Sequence, residues 1–243
     1  MNAVAARIFR NPCSACLDCA VRQQAVCAAL ADDEVYELDR ILSSSKLEAN
    51  QTLVEEGEPR RFVYTLTSGM LRLTTLLADG RRQISGFLVP GDYVGLADDE
   101  VYSQSVEAVV PSNLCGFPVP AMNALMDRHP RLKDRLHQMT RTALRQARDN
   151  QLILGRLAPV EKIASFLLIT TDRLAAAGLS NDHITTLPMT RTDIADYLGL
   201  TIETVSRSFT KLRNQGLIRL PNPHDVEIVD RRALEDVAGF APR

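Results

Sequence analysis

The sequence predicts an α+β fold, and three patterns along the chain support this prediction. Short β-type runs punctuated by glycine fill residues 50–118, a helical pattern covers residues 119–157, and two capped helices joined at Gly199 lie near the C-terminus. We expect a β-roll of the jelly-roll type over residues 31–125, a long helix over 126–157 and a winged helix-turn-helix over 158–243. Residues 1–30 precede them as a cysteine-rich segment.

The composition is that of a soluble globular protein, because 45% of the 243 residues are hydrophobic and 24% are charged. No apolar run approaches the roughly 18 residues that a membrane span needs, and the N-terminus lacks the apolar core of a signal peptide. We therefore expect a cytoplasmic protein with no membrane partner. In that reducing compartment, clustered cysteines bind metal more often than they form disulfides.

The β-rich region follows a short amphipathic helix that we expect over residues 31–45. Strand-like runs cover residues 62–67, 70–77 and 83–89, separated by Ser68-Gly69 and Asp79-Gly80. Asp-Gly between alternating segments is a strong hairpin signal, because a type I′ turn needs positive φ. Two later runs, residues 106–110 and 113–117, supply further strands. Many short strands of even spacing predict a small barrel or jelly roll.

The long helix carries a seam whose positions alternate at spacings of 3 and 4, which is a coiled-coil pattern. We interpret this seam as a homodimer interface because it is narrow and flanked by arginines. The alternative is a single helix packed on its own domain. The seam consists of Leu136, Met139, Ala143, Gln146, Asn150, Ile153 and Leu157.

A helix-turn-helix pattern occupies residues 190–216. Thr190 followed by Asp193 is a capping box that starts one helix. Gly199 lies where a tight inter-helix turn needs a left-handed residue, and Thr201 caps the second helix. Val205, Phe209 and Leu212 then face inward. Two β-type runs at residues 217–220 and 226–229, joined by a turn-rich stretch, predict a β-hairpin wing.

The exposed positions of the second helix carry groups that can read DNA. N-terminal residues of a recognition helix reach base edges in the major groove. A carboxylate can accept from cytosine and a guanidinium can bridge guanine, each worth about 1–3 kcal/mol of discrimination. The alternative for Glu203 and Arg207 is an ordinary surface ion pair. We predict DNA contacts from Thr201, Glu203, Ser206, Arg207 and Lys211.

In this order of parts, and in the stretch IETVSR from Ile202 to Arg207, the chain resembles the CRP/FNR family of bacterial transcription factors from about residue 12 onward. Gly95-Leu96 and Gln104-Ser105 replace the Gly-Glu and Arg-Ser pairs of the cyclic-nucleotide branch, so the resemblance implies no cAMP binding. The E-x-x-S-R pattern is that of the FNR branch. It implies a homodimer on a palindrome of TTGAT-like half-sites and contact with RNA polymerase, for which the loop near residues 79–82 and a surface in the C-terminal domain are candidates.

Four cysteines, Cys13, Cys16, Cys19 and Cys27, crowd the first thirty residues and indicate a metal or redox centre. The resemblance implies an oxygen-labile [4Fe-4S] cluster on Cys16, Cys19, Cys27 and Cys115. Thiolate ligation also suits such a cluster chemically. Cys13 with Cys16 is a rival pair. Zinc on four thiolates remains an alternative, as does a regulator of the same family that senses nitric oxide through haem or redox state through thiols.

The combined prediction is a transcriptional regulator that binds its palindrome under low oxygen. An enzyme with a cysteine nucleophile is the rival from another class. We expect no enzyme, because the four histidines show no base-like pattern near the thiols. These histidines are His129, His137, His183 and His224.

Overall fold

The computed structural model describes residues 16–179 and 184–239. The N-terminal segment runs through turns into a 3₁₀ helix, Val26–Ala29, and then into helix α1, Val35–Ile41. The helix expected over residues 31–45 is therefore shorter than predicted. Residues 43–47 leave it to form the first strand, because Leu42 adopts an extended backbone conformation.

The β-roll is a six-stranded antiparallel sheet with the order β1-β6-β3-β4, in which β2 also pairs with β6 and β5 with β3. The prediction of a β-roll is confirmed. Its strands are β1 (Ser43–Leu47), β2 (Thr52–Val54), β3 (Phe62–Leu76), β4 (Arg82–Leu88), β5 (Tyr93–Val94) and β6 (Ser105–Pro118).

Of the two glycine-containing turns predicted within the β-rich region, one forms a hairpin and the other does not. Asp79-Gly80 forms the β3–β4 hairpin, where Gly80 has φ 84° and its N–H donates to the Leu77 carbonyl. Ser68-Gly69 does not separate two strands, because β3 runs through it with a shift of register against β6. Gly69 is needed there since a Cβ would lie 2.6 Å from the Pro111 carbonyl oxygen.

The helical pattern over residues 119–157 is two helices rather than one. Helix α2, Val119–Arg128, ends at His129, and helix α3, Pro130–Arg156, begins at the next residue. Pro130 is compatible only with the first turn of a helix, so it starts α3 and ends the preceding helix. The expected start of the long helix at residue 126 therefore lies inside α2, and Leu157 lies beyond the end of α3 in an extended conformation.

The C-terminal domain has the predicted winged helix-turn-helix architecture. Its three-stranded sheet has the order β7-β9-β8, and a last helix, which the sequence pattern did not indicate, closes the domain. Its elements are α4 (Pro159–Ala176), β7 (Ile184–Thr186), α5 (Arg191–Leu198), α6 (Ile202–Asn214), β8 (Ile218–Arg219), β9 (Asp225–Ile228) and α7 (Arg231–Ala238).

The hydrophobic core has three parts. One lies inside the β-roll and includes Leu66 and Leu114. A second lies between the sheet and the helical layer formed by the 3₁₀ helix, α1, α2 and the start of α3. The third is continuous from the β-roll into the C-terminal domain, where Phe87 packs edge-on against Phe166 and close to Tyr197. Within the described ranges, no helix is both long and apolar enough to cross a bilayer.

Candidate DNA-binding interface and thiol cluster

Helix α6 has one buried face and one exposed face. Val205, Phe209 and Leu212 are at most 2% exposed, as the sequence predicted. The Thr201 hydroxyl accepts from the Thr204 N–H at 3.2 Å, which confirms the predicted N-cap. Gly199 adopts the left-handed conformation with φ 61° and joins the two helices. The turn therefore aims the outer face of α6 away from the domain core.

The outer face of α6 carries the predicted reading residues. Glu203, Ser206, Arg207 and Lys211 are all exposed. Arg207 donates to the Thr204 hydroxyl at 3.4 Å instead of forming an ion pair with Glu203. The backbone N–H of Glu203 and the Thr201 hydroxyl hold the pKa of the Glu203 carboxyl below its usual value. The helix thus offers a charged acceptor and a guanidinium donor, side by side and both open to solvent.

Arg191, which sequence reasoning missed, joins the helix-turn-helix to the wing. Its guanidinium carbon lies 3.4 Å from the centroid of the Phe209 ring, and it donates to the Pro223 carbonyl in the wing turn. Burial lowers the pKa of Arg191 to about 10, which leaves the side chain charged at neutral pH. A cation over an aromatic face is stabilising by roughly 0.5–2 kcal/mol. Arg191 therefore fixes α5, α6 and the wing turn relative to one another.

The thiols of Cys16, Cys19, Cys27 and Cys115 lie close enough for electrostatic interaction with one another. Cys27 lies in the 3₁₀ helix and Cys115 near the end of strand β6, and both pack against the core between the sheet and the helical layer. Burial, together with the charges of Cys19 and Cys27, raises the pKa of Cys115 to about 12. Cys13 lies outside the described residues.

Cys16 has a partner that the sequence did not suggest. Its sulfur donates to Asp39 Oδ1 on helix α1 at 3.3 Å. Burial raises the pKa of Cys16 to about 12, with the Asp39 hydrogen bond as the second cause. Because burial and neighbouring negative charge both oppose ionisation of Cys16 and Cys115, the thiolate forms of these two residues need a positively charged partner. A metal ion or an iron–sulfur core supplies that charge, since metal binding displaces the thiol protons.

A buried polar atom lies beside Cys115. Thr65 is directly opposite Cys115 in the β3–β6 ladder, so the two side chains share one face of the sheet. Thr65 is 2% exposed, and its hydroxyl has no hydrogen-bond partner among the described residues. Hydrogen bonds to cluster sulfurs are common tuning contacts in iron–sulfur proteins. Four thiols together with this unused donor fit an iron–sulfur cluster.

Within residues 16–179 and 184–239, no three Cys, His, Asp or Glu side chains form a preassembled site for a single metal ion. The fit to a cluster therefore depends on the donor chemistry of the thiols and on Thr65.

Gln24, in the segment between Cys19 and Cys27, makes polar contacts with helices α3 and α4. Arg135 on helix α3 donates to the Gln24 carbonyl, and the Gln24 side chain donates to the Ala176 carbonyl at the end of α4 at 2.8 Å. Val26 and Leu30 are buried in the same core as Leu132 of α3. The cysteine segment therefore packs directly on the long helix.

The structure places most apolar residues of the predicted α3 seam against their own chain. Ile153 is 1% exposed within the single chain and is not available to a partner helix. Leu136 and Met139 pack against the core beside the cysteine segment, and Leu157 packs against the core of the C-terminal domain. Asn150 is half-buried, whereas Ala143 and Gln146 are exposed. Most of the apolar seam positions thus pack inside their own chain, as the alternative interpretation held.

A second stripe on α3 is exposed except at its last position, Leu154, which is half-buried. Thr140, Leu144, Ala147, Gln151 and Leu154 also alternate at spacings of 4 and 3, and Leu144 is 52% exposed. The whole stretch of residues 140–148 is exposed in the single chain. Sequence periodicity could not choose between the two stripes, because both fit a heptad pattern.

The residues at the positions of the two cyclic-nucleotide-binding pairs have partners within the β-roll. Gln104 accepts from the Ser85 hydroxyl at 2.9 Å, and the Ser105 hydroxyl accepts from the Glu56 N–H at 3.0 Å. Leu96 is partly buried against the core beneath the helical layer. These side chains are engaged in contacts within the domain.

Comparison with known proteins agrees with this architecture. Residues 161–237 match the Crp-like helix-turn-helix domain, and residues 44–129 match the cyclic nucleotide-binding domain. The chain is 40% identical over 205 residues to the nitrogen fixation regulation protein FixK of Bradyrhizobium diazoefficiens, covering 84% of this chain and 86% of the relative. It is 38% identical over 227 residues to the transcriptional activator protein FnrL of Cereibacter sphaeroides, covering 92% of each.

A solved structure shows the same fold. FixK2 from Bradyrhizobium japonicum superposes with a TM-score of 0.77 at 32% sequence identity, covering 83% of this chain and 99% of that one. The winged helix-turn-helix, the β-roll and these relatives show that the chain belongs to the CRP/FNR family and is a DNA-binding transcriptional regulator, not an enzyme.

Proposed function

We propose that this regulator responds to oxygen through a [4Fe-4S] cluster held by Cys16, Cys19, Cys27 and Cys115. The observation that carries the proposal is that these four thiols lie close enough to interact electrostatically, where the cysteine segment packs beside strand β6. When bound, the cluster supplies a covalent link between segment and sheet that oxygen destroys. Without that link, the segment stays on the protein only through its own packing and hydrogen bonds.

The cysteine segment is placed to affect helix α3. Val26 and Leu30 share a core with Leu132, and the Arg135 hydrogen bond to the Gln24 carbonyl adds a polar contact. Displacement of the segment would expose this part of α3 and remove its support. An equilibrium can respond to a ligand only if the ligand favours one state. Here the favoured state is the one in which the segment is packed on α3.

We propose that the protein acts as a homodimer through the exposed stripe of α3. Leu144, Ala147 and Leu154 lie on that stripe, and residues 140–148 make it accessible to a second copy. A two-fold dimer places two α6 helices on half-sites about 34 Å apart along the DNA. The operator is therefore a palindrome, and the resemblance to the FNR branch supports TTGAT-like half-sites.

Base reading would come from the outer face of α6. Arg207 can bridge the O6 and N7 acceptors of guanine, and Glu203 can accept from the cytosine amino group. Ser206 lies between them on the exposed face, and Lys211 lies one turn farther on, where it can reach phosphate.

Transcription activation would need RNA polymerase, and the exposed β3–β4 hairpin near residues 79–82 is the surface we assign to it. This function places the protein in the cytoplasm.

The experiment compares DNA binding of one anaerobic preparation before and after exposure to air. We expect high affinity for a duplex carrying the TTGAT palindrome under argon, and loss of both visible absorbance and affinity in air. A haem sensor would show the sharp Soret band of haem. A zinc protein would be colourless and insensitive to brief air. Equal affinity in both gases would contradict the proposal.

A further inference from the structure

A buried ionic network joins the β-roll to the first helix of the helix-turn-helix. Arg72 on strand β3 has a side chain only 8% exposed, and it pairs with Glu107 of the β-roll at 2.7 Å. Its Nη1 donates to Asp193 Oδ1 on helix α5 at 3.2 Å. The Asp193 side chain is 2% exposed. The Arg72–Asp193 pair thus crosses the boundary between the two domains out of contact with water.

A second arginine reaches the same helix from strand β4. Arg82 Nη2 donates to Asp193 Oδ1 at 2.7 Å, and Arg82 Nε donates to Asp196 Oδ2 at 2.8 Å. The carboxylates of Asp193 and Asp196 raise the pKa of Arg82 despite its burial. Gln83 adds a hydrogen bond to the Tyr197 carbonyl at 3.4 Å. Strands β3 and β4 therefore hold helix α5 at the side chains of Asp193 and Asp196 and at the Tyr197 carbonyl.

The two carboxylate oxygens of Asp193 accept hydrogen bonds from different partners. Oδ2 accepts from the Thr190 N–H at 3.0 Å and from the Thr190 hydroxyl at 2.7 Å, which completes the capping box. Oδ1 accepts from the two arginines of the β-roll. The cap alone requires only one of these oxygens. The second oxygen, shared by two guanidiniums, serves the contact between domains.

The network does not cover the DNA-reading surface. Glu203, Ser206 and Arg207 stay exposed on the outer face of α6, while the network holds α5 on the opposite side of the helix pair. The contact between domains also contains the aromatic packing of Phe87 with Tyr197, whose ring centroids are 5.4 Å apart. The geometry of this contact between the domains restricts the direction in which α5, and with it α6, projects from the β-roll.

We propose that Arg72 and Arg82 are positioning residues for DNA reading. They fix the direction of α6 within each protomer, so that both recognition helices of a dimer meet the DNA already in register. A domain that must be ordered upon binding loses affinity by the cost of that ordering. This inference needs only the DNA-binding function and not the cluster, so it can fail or hold independently of the oxygen response.

The test uses full-length protein and the duplex that the wild type selects from random DNA, with no polymerase present. Arg82→Ala removes the partly exposed arginine, and Asp193→Asn keeps an acceptor for the Thr190 cap while removing the charge. Lys46→Ala is the control, because Lys46 is an exposed cation on strand β1 of the same β-roll and pairs with the exposed Glu48 at 3.6 Å.

We expect Arg82→Ala and Asp193→Asn each to weaken specific binding between about fivefold and fiftyfold. The salt dependence should be unchanged, because no phosphate contact is lost. The double variant should be no weaker than the worse single variant, since both remove one network. Hydrogen exchange in α5 and α6 reports whether the helices remain folded in each variant.

Three results would overturn the inference. Wild-type affinity in both single variants would show that the network does not position α6. A gain in affinity would show that it holds α6 away from DNA. A salt slope reduced by about 1 in Arg82→Ala would mean that this arginine contacts a phosphate directly.

Discussion

Thr65 lies opposite Cys115 in the β3–β6 ladder, and its buried hydroxyl has no hydrogen-bond partner within the described residues. An unpaired buried hydroxyl costs about 1–3 kcal/mol. The unpaired Thr65 hydroxyl therefore reduces the stability of the cluster-free protein. In the cluster-bound protein, a sulfur atom within reach would accept its hydrogen bond. This pairing of an unused donor with a candidate ligand leads to the first prediction.

Thr65→Val should have opposite effects on the two forms of the protein. Removal of the unpaired hydroxyl, with its β-branched shape kept, should raise the melting temperature of the cluster-free protein by a few degrees. Loss of a hydrogen bond to a cluster sulfur should shorten the lifetime of the visible absorbance in air by about fivefold. Thr67→Val is the matched control, because the Thr67 hydroxyl instead donates to the Asn113 carbonyl on the exposed side. An unchanged lifetime would remove Thr65 from the site.

The exposed stripe of α3 gives a prediction about assembly. Leu144 and Leu152 are 52% and 51% exposed, but only Leu144 lies on the stripe with Ala147 and Leu154. Leu144→Asp should convert the dimer to monomer in analytical ultracentrifugation, because it places a charge in a helix–helix seam. Leu152→Asp, on a different side of α3, should remain a dimer. Equal behaviour of the two variants would contradict this assignment of the interface.

Arg207 and Lys211 should differ in what their loss does to DNA binding. Arg207→Ala should cost about 1–3 kcal/mol on the preferred operator and relax selectivity at one base pair of each half-site. Lys211→Ala should weaken binding to all sequences alike and reduce the salt slope by about 1 for each protomer. Fluorescence anisotropy over a series of salt concentrations and single-base operator variants measures both. A uniform loss in Arg207→Ala would assign it to the phosphate backbone instead.

Local sequence patterns predicted the features that depend on neighbouring residues. The capping box of Thr190 and Asp193, the left-handed Gly199 and the inward face of α6 are all set within a few residues of the chain. The Asp79-Gly80 hairpin is local in the same sense. Each could be predicted because its stabilising hydrogen bonds and backbone angles lie within one short segment.

The features that escaped prediction depend on contacts between distant parts of the chain. The side of α3 that packs internally is set by the cysteine segment and the C-terminal core, so periodicity alone could not show that seam residues such as Ile153 pack within the chain. The second oxygen of Asp193 meets Arg72, 121 residues away in sequence. The hydrogen bond from Cys16 to Asp39 and the register of Thr65 with Cys115 likewise exist only in the folded chain.

The central claim, that sulfur atoms of the N-terminal segment and of strand β6 hold one cluster, is tested most directly by iron and sulfide analysis of protein purified without air. We expect about four iron and four sulfide per chain in the wild type and in Cys13→Ser, and close to none in Cys115→Ser that remains folded. A wild type free of iron, or a Cys115→Ser variant with full iron content, would contradict the claim.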